Sequence, residues 1–266
     1  MASLRTHPDR VKQPIVVLTT DFGTADPFVG IMKGVILSIC PAAVIVDLTH
    51  GIPPQDVLVG CLALEAACPF FPAGAIHVCV VDPGVGTDRR AVLVRTRRGS
   101  FIAPDNGLLS FLEPAEIQEI RALENPRYFL QPLSQTFHGR DVFAPVAGHL
   151  ASGVKPRSFG EKLHSLTRLQ VPRASCSPSG IEGEVLYFDH FGNAITSFRA
   201  GDLPPNTLEV RMAERRIPLV HAYASVPPGT VLALVGSSGR VEIAVSRGSA
   251  RGELGLSRGD LVHVAP

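Results

Sequence analysis

Apolar and polar positions follow two different rhythms along the chain, and the change of rhythm divides it. Early on, continuous apolar runs at 15–20 (Ile-Val-Val-Leu-Thr-Thr), 44–48 and 76–81 read as strands buried on both faces. Between them Phe28, Ile31, Val35 and Ile39 recur at helical spacing, with Asp26 as expected N-cap and Pro27 at the first helical position. Residues 54–68 predict a second helix, 91–96 and 101–103 two shorter strands, and 141–151 a helix capped by Asp141. Strands alternating with helices predict an α/β domain with a largely parallel central sheet and helices on both faces. Residues 153–179, rich in Pro, Ser, Lys and Arg, read as a connector. Beyond it, short β-like runs at 183–188, 208–212, 219–224, 231–235, 241–245 and 261–264 are separated by turn sequences, with no long helix between them. They predict a smaller C-terminal all-β domain, sandwich or barrel. The expected domains are 1–172 and 173–266.

Composition narrows the class. The 266 residues are 45% hydrophobic and 18% charged, enough for a sizeable core and too apolar for disorder. Lys and Arg total 25 against 24 Asp and Glu, a formal charge of +1, so no nucleic-acid partner is expected. Residues 1–14 are polar and lack the apolar run of a signal peptide. The longest apolar stretch, 29–40, is interrupted by Lys33 and too short to span a bilayer. Of the 5 cysteines none has CxxC spacing, and Cys40, Cys61, Cys68 and Cys79 lie inside apolar runs as small core residues. The expectation is a soluble cytoplasmic protein with no membrane partner.

In an open parallel sheet, ligands bind beyond the carboxyl ends of the strands. Asp21 follows the first strand and Asp82 the third, although each also suits ordinary turn chemistry. The segment 81–90, Val-Asp-Pro-Gly-Val-Gly-Thr-Asp-Arg-Arg, has neither the full dinucleotide fingerprint nor a P-loop ending. It supplies a tight turn able to fold Arg89 back toward Asp82, either as a loop clamp or as a way to fix a small polar reactant. His138 lies in Thr136-Phe137-His138-Gly139-Arg140-Asp141, where a surface or capping role competes with catalysis. His138 and His149 have no carboxylate at helical ligand spacing, so no metal site is expected. Asp105-Asn106-Gly107 reads as a tight turn. In the second domain, Asp189-His190-Phe191-Gly192-Asn193 links two β runs; a hairpin turn explains it, and an aromatic flanked by polar groups also suits a purine. Gly236-Ser237-Ser238-Gly239 offers hydroxyls and N–H groups to a carboxylate. Glu242, within an apolar strand, needs a partner, either a structural Arg or a ligand donor.

Taken together, Thr20-Asp21-Phe22-Gly23, the 81–87 segment, Ala103-Pro104-Asp105-Asn106-Gly107, the 136–141 segment, the 189–193 segment and 236–239 occur in the order found in one family. The chain resembles the S-adenosyl-L-methionine (SAM) hydrolases that form adenosine, also called SAM hydroxide adenosyltransferases, relatives of the SAM-dependent fluorinase and chlorinase. The resemblance spans about residues 14–265. It implies an α/β domain followed by a β-barrel, a homotrimer with substrate between one subunit's first domain and its neighbour's second, and no cofactor beyond SAM as substrate. It implies that SAM and water give adenosine and L-methionine by attack at the ribose C5′. The family's Asp-Arg-His set falls on Asp82, Arg89 and His138, and its ribose-binding aspartate on Asp21. Its methionine-end residues fall on Asp26, Asp189 and Ser237, its adenine contacts on Asn193 and the backbone near Arg247, and its aromatic pocket positions on Phe137 and Phe191. Gln55 and Phe28 stand where the fluorinase has a tryptophan and a serine, and Asp82 where it has the halide-site tyrosine. These departures weigh against halogenation. A SAM-dependent halogenase and a non-catalytic SAM or adenosine sensor remain as alternatives.

Overall fold

The computed structural model describes residues 13–177 and 180–264. Residues 1–12, which hold most of the polar start of the chain, lie outside them, as do 178–179 and 265–266. The chain divides into two compact units between Leu169 and Gln170.

The first unit begins β1 (Ile15–Thr20), α1 (Phe28–Ile39), β2 (Val44–Thr49), α2 (Val57–Ala67) and β3 (Ala75–Val80). It continues with β4 (Ala91–Thr96), β5 (Gly99–Pro104), β6 (Ile117–Ala122), α3 (Ala144–Ala151) and β7 (Lys162–Leu163). The strand order is β2-β1-β3-β5-β4-β6-β7. β2, β1, β3 and β5 are mutually parallel, whereas β4 runs antiparallel to β5 and β6, and β6 antiparallel to β7. The largely parallel sheet is therefore present, with an antiparallel edge. Even-numbered residues of β1 and β3 (Val16, Leu18, Ile76, Val78, Val80) bury under Met32 and Ile36 of α1 and Val146 and Ala147 of α3. The opposite face of β3 carries α2, where Gly60 has no side chain and so admits Val81 and Leu108.

Local expectations need two corrections here. Pro27, not Asp26, occupies the N-cap position of α1, and the Asp26 side chain makes no capping bond. Asp141 is not a cap either. The chain enters α3 through a π-helical turn, Gly139–Phe143, which carries Asp141 into a buried position. There its carboxylate accepts from Ser134 N at 2.8 Å and pairs with Arg140. The second helix starts at Asp56, whose side chain accepts from Val59 N at 3.0 Å.

The second unit holds β8 (Ser175–Ser177), β9 (Gly180–Phe188), β10 (Ala194–Arg199), β11 (Glu209–Met212), β12 (Arg215–Pro218), β13 (Val231–Val235), β14 (Arg240–Val245), α4 (Ala250–Leu254) and β15 (Leu261–Val264). All named pairs are antiparallel, in the order β12-β11-β15-β9-β10-β14-β13, with β8 on β9. Leu219, just past β12, bridges to Ala233 in β13 and brings the two ends of the path together, a nearly closed barrel. Val185, Phe198, Val210, Ile217, Ile243 and Val262 fill its interior. The strand expected at 219–224 is reduced to that bridge and a short turn of 3-10 helix, Tyr223–Ser225. The connector read at 153–179 contributes the edge strands β7 and β8.

Candidate active site

β1 is followed by a strand on one side of it, β2, and then the chain crosses back to β3 on the other. The order reverses between β1 and β3, and at such a switch point the loops leave a crevice at the carboxyl ends of the strands. Thr20 and Val80 are register partners at those ends, so Asp21 and Asp82 continue from adjacent strands. The loop after Asp82 turns tightly: Val85 N donates to Asp82 O, and Thr87 N and Oγ1 both donate to Gly84 O. Gly86 has φ +79°, and a side chain there would run into Gln135 O. The turn folds Arg89 back onto Asp82. Arg89 Nε donates to Asp82 Oδ1 at 2.9 Å, and its Nη2 reaches Asp82 Oδ2 at 2.5 Å. The two side chains are 11% and 5% exposed, so this is a desolvated, bidentate pair.

The same Arg89 Nη2 lies 2.7 Å from His138 Nδ1. Guanidinium has no acceptor, so Nδ1 must accept and a neutral ring carries its proton on Nε2. That Nε2 is buried with no hydrogen-bond partner among the described residues. Burial, then the charge of Arg89, holds the His138 pKa below its ordinary value, which keeps the ring neutral. Beside this set Phe137 packs edge-on against Phe22 and Phe28, with centroids 6.0 and 5.2 Å away. Asp21 Oδ2 accepts from Gln55 N at 2.7 Å, fixing Gln55 at φ +66°. Asp26 is exposed and stands apart from these bonds.

The second unit gathers another cluster of the expected residues. Asp189 Oδ1 accepts from the N–H groups of Phe191 and Asn193, both at 2.9 Å, and its Oδ2 takes Asn193 Nδ2 at 2.9 Å. Asn193 Nδ2 also lies 3.5 Å from the Tyr223 hydroxyl, which donates to Glu242 Oε1. The partner that Glu242 requires is thus Tyr223, which lies in the segment 219–224 expected as a strand and carries no signal of a site in its sequence. Burial raises the Glu242 carboxyl above its ordinary value, with the Asp189 charge adding to the shift. Gly236 sits against the same carboxylate, leaving no room for a side chain. Ser237 on that turn, Phe191 and Arg247 are exposed, Arg247 at φ +57°. His77, whose pKa burial pushes down to about 4, lines a separate cavity of about 420 Å³ that none of the expected site residues line. Among the described residues no group of three or more His, Cys, Asp and Glu is placed to hold a metal ion.

A doubly wound sheet with a desolvated Asp-Arg-His set at its switch point, joined in one chain to a small antiparallel barrel, defines an α/β protein of the small-molecule-binding kind. Comparison with known proteins makes this specific. Residues 16–160 match the model of the SAM hydroxide adenosyltransferase N-terminal domain, and residues 183–263 that of the C-terminal domain. The chain belongs to the SAM hydroxide adenosyltransferase family. An (R)-S-adenosyl-L-methionine hydrolase from Thermus thermophilus is 42% identical over 92% of this chain and 96% of its own length. A fluorinase from an Actinoplanes species is 30% identical over 71% of this chain and 73% of its own. The crystal structure of an uncharacterized conserved protein from Thermotoga maritima matches with a TM-score of 0.86 and 34% identity, covering 95% of this chain and all of that one.

Proposed function

We propose that the protein hydrolyses SAM to adenosine and L-methionine by attack of water at the ribose C5′, with Asp82, Arg89 and His138 holding that water. The activity is the one named for the Thermus relative, and family membership makes the chain an enzyme. The observation that carries the mechanism is the buried hydrogen-bonded set at the switch point. Water supplies an electron pair to C5′, and the C5′–S bond breaks with its pair passing to sulfur. The sulfonium thereby becomes the neutral thioether of methionine, and one water proton is released. Arg89 has only donors, and neutral His138 already carries its proton on Nε2, so the carboxylate of Asp82 is the acceptor for the water proton. His138 Nε2–H is the donor left to orient the water or the ribose side of the substrate. Positioning supplies most of the gain in such an in-line attack. Hydroxide character meeting a sulfonium annihilates charge, so a dry site favours the transition state.

The remaining assignments are carried by the resemblance: Asp21 for ribose, Asp26, Asp189 and Ser237 for the methionine end, Asn193 and the backbone near Arg247 for adenine, Phe137 and Phe191 as aromatic walls. Glu242 joins them through Tyr223 and Asn193. The Thermus relative is named for the (R) sulfonium, and we extend that preference to this chain. No step of this chemistry calls for a cofactor. We further propose a cytoplasmic homotrimer; no helix of the described residues is long and apolar enough to cross a membrane. If neighbouring subunits share sites, mixing inactive Asp82→Ala protein with inactive Asn193→Ala protein restores activity after subunit exchange, and no recovery despite exchange contradicts the sharing. Halogenation is disfavoured because Asp82 sets a carboxylate where the resemblance places the halide-site tyrosine, and a carboxylate repels halide.

The test is direct. Purified protein is incubated with SAM in heavy-oxygen water, with and without chloride, and the products are separated. Labelled adenosine in both supports hydrolysis. A chloride-dependent nucleoside product supports the halogenase reading, and binding without turnover supports a sensor.

A further inference from the structure

The turn Asp105-Asn106-Gly107 does more than reverse the chain. β5 lies between β3 and β4 in the sheet. The loop that carries Asp82 and Arg89 leaves β3 and enters β4, so it must arch over the carboxyl end of β5. Residues 105 and 106, directly past that end, sit beneath the two feet of the arch. Asn106 Nδ2 donates to Val81 O at 2.8 Å, at the foot adjoining Asp82. Its Oδ1 is occupied by Leu108 N at 3.2 Å, which fixes the carboxamide with its NH2 toward Val81. At the other foot, adjoining Arg89, Asp105 N donates to Arg90 O at 2.8 Å, and Arg90 Nε donates to the Asp105 carboxylate at 2.8 Å. The Asp105 side chain is 2% exposed, and its second oxygen is held by Thr167 N at 2.8 Å. Asp82 and Arg89 therefore each neighbour a residue pinned by this turn.

We propose that Asn106 and Asp105 are positioning residues: a two-point staple that fixes the Asp82–Arg89 arch and, through Arg89, the acceptor bond to His138. The proposal rests on the catalytic reading of Asp82, Arg89 and His138. A turn of merely structural value needs none of the contacts across the arch; Asn106 has its own turn bond to Leu108 without the bond to Val81. The staple explains how a loop that contains Gly84 and Gly86 presents a carboxylate and a guanidinium in one fixed geometry.

The experiment compares Asn106→Ala and Asn106→Asp with wild type, each also in an Asp82→Asn background. Asn106→Asp keeps the shape and the acceptor to Leu108 while replacing the donor by an oxygen, and it serves if the alanine variant does not fold. Turnover, SAM dissociation constant and the ring nitrogen resonances of His138 are measured. The staple predicts a kcat at least about tenfold lower with SAM affinity changed by less than about threefold. It predicts a further loss below about twofold when Asp82 is already Asn, because both changes act on one group. It also predicts shifted His138 ring signals in either Asn106 variant. Unchanged ring signals, a kcat within about twofold of wild type, or equal losses in both backgrounds would overturn it. If instead the ring signals shift but Asp82→Asn turns over normally, the catalytic reading is the part that fails.

Discussion

The two polar clusters of this chain are built on opposite electrostatic principles. At the switch point of the first unit a carboxylate and a guanidinium neutralise each other, and the neutral imidazole attached to them keeps one buried N–H unspent. In the barrel unit two carboxylates, Asp189 and Glu242, are joined through a carboxamide and a phenol. A full charge pair holds its geometry whatever binds. A chain of neutral donors between two acids has its donor directions set by protonation. The first arrangement suits chemistry and the second suits recognition, and the two should respond differently to substitution and to pH.

The largest effect is expected from Arg89→Lys. An ammonium cannot span Asp82 and His138 as the guanidinium fork does, so kcat should drop by about a thousandfold with SAM affinity nearly kept. Tyr223→Phe should do the reverse, raising KM by roughly tenfold while kcat at saturation stays within about twofold, as expected for loss of one hydrogen bond to a charged partner. Steady-state kinetics of both variants break the comparison if the kcat and KM effects are exchanged.

A smaller effect separates the clusters by pH. Protonating His138 puts a hydrogen on Nδ1 facing Arg89 Nη2, so the bond is lost. Because burial and Arg89 lower this pKa, activity should hold as pH falls past the ordinary value of 6.5 and decline only below it. A kcat profile with its acid midpoint above 6.5 contradicts this. Glu242 gives the smallest signal and the opposite sign. Its folded pKa is raised above 4.5, so between the two values the native state binds more protons and stability falls as pH rises. Denaturant titrations across that window should show a flatter slope for Glu242→Gln than for wild type.

Much of the first unit was legible because buried parallel strands are continuous apolar runs, as in Ile15–Thr20 and Ala75–Val80. β6 was not, since exposed Gln118 and the half-buried ion pair of Glu119 with Arg121 break the apolar pattern of Ile117–Ala122. β12 was hidden likewise by Arg215 and Arg216. Within the site, the closeness of Asp82 and Arg89 followed from a tight Gly-rich turn. His138 is 49 residues from Arg89, and no local spacing reports such a contact; only the resemblance joined it to the pair. Tyr223 was missed because its segment, apolar around it, reads as a strand yet forms a single 3-10 turn. Asn106 read as turn chemistry because Asn-Gly is a turn sequence whether or not its amide also reaches another strand.

The central claim is that the carboxylate of Asp82 takes the proton of the attacking water. Asp82→Asn keeps the shape of the side chain and removes its charge, so it separates a turn residue from a catalytic one. On a single preparation, kcat, SAM binding and melting temperature are measured together. The account predicts a kcat lower by about two orders of magnitude or more, the range for loss of a positioned acid–base group, with SAM affinity changed far less and the fold retained. A folded Asp82→Asn protein that binds SAM and turns it over at near wild-type rate would contradict it.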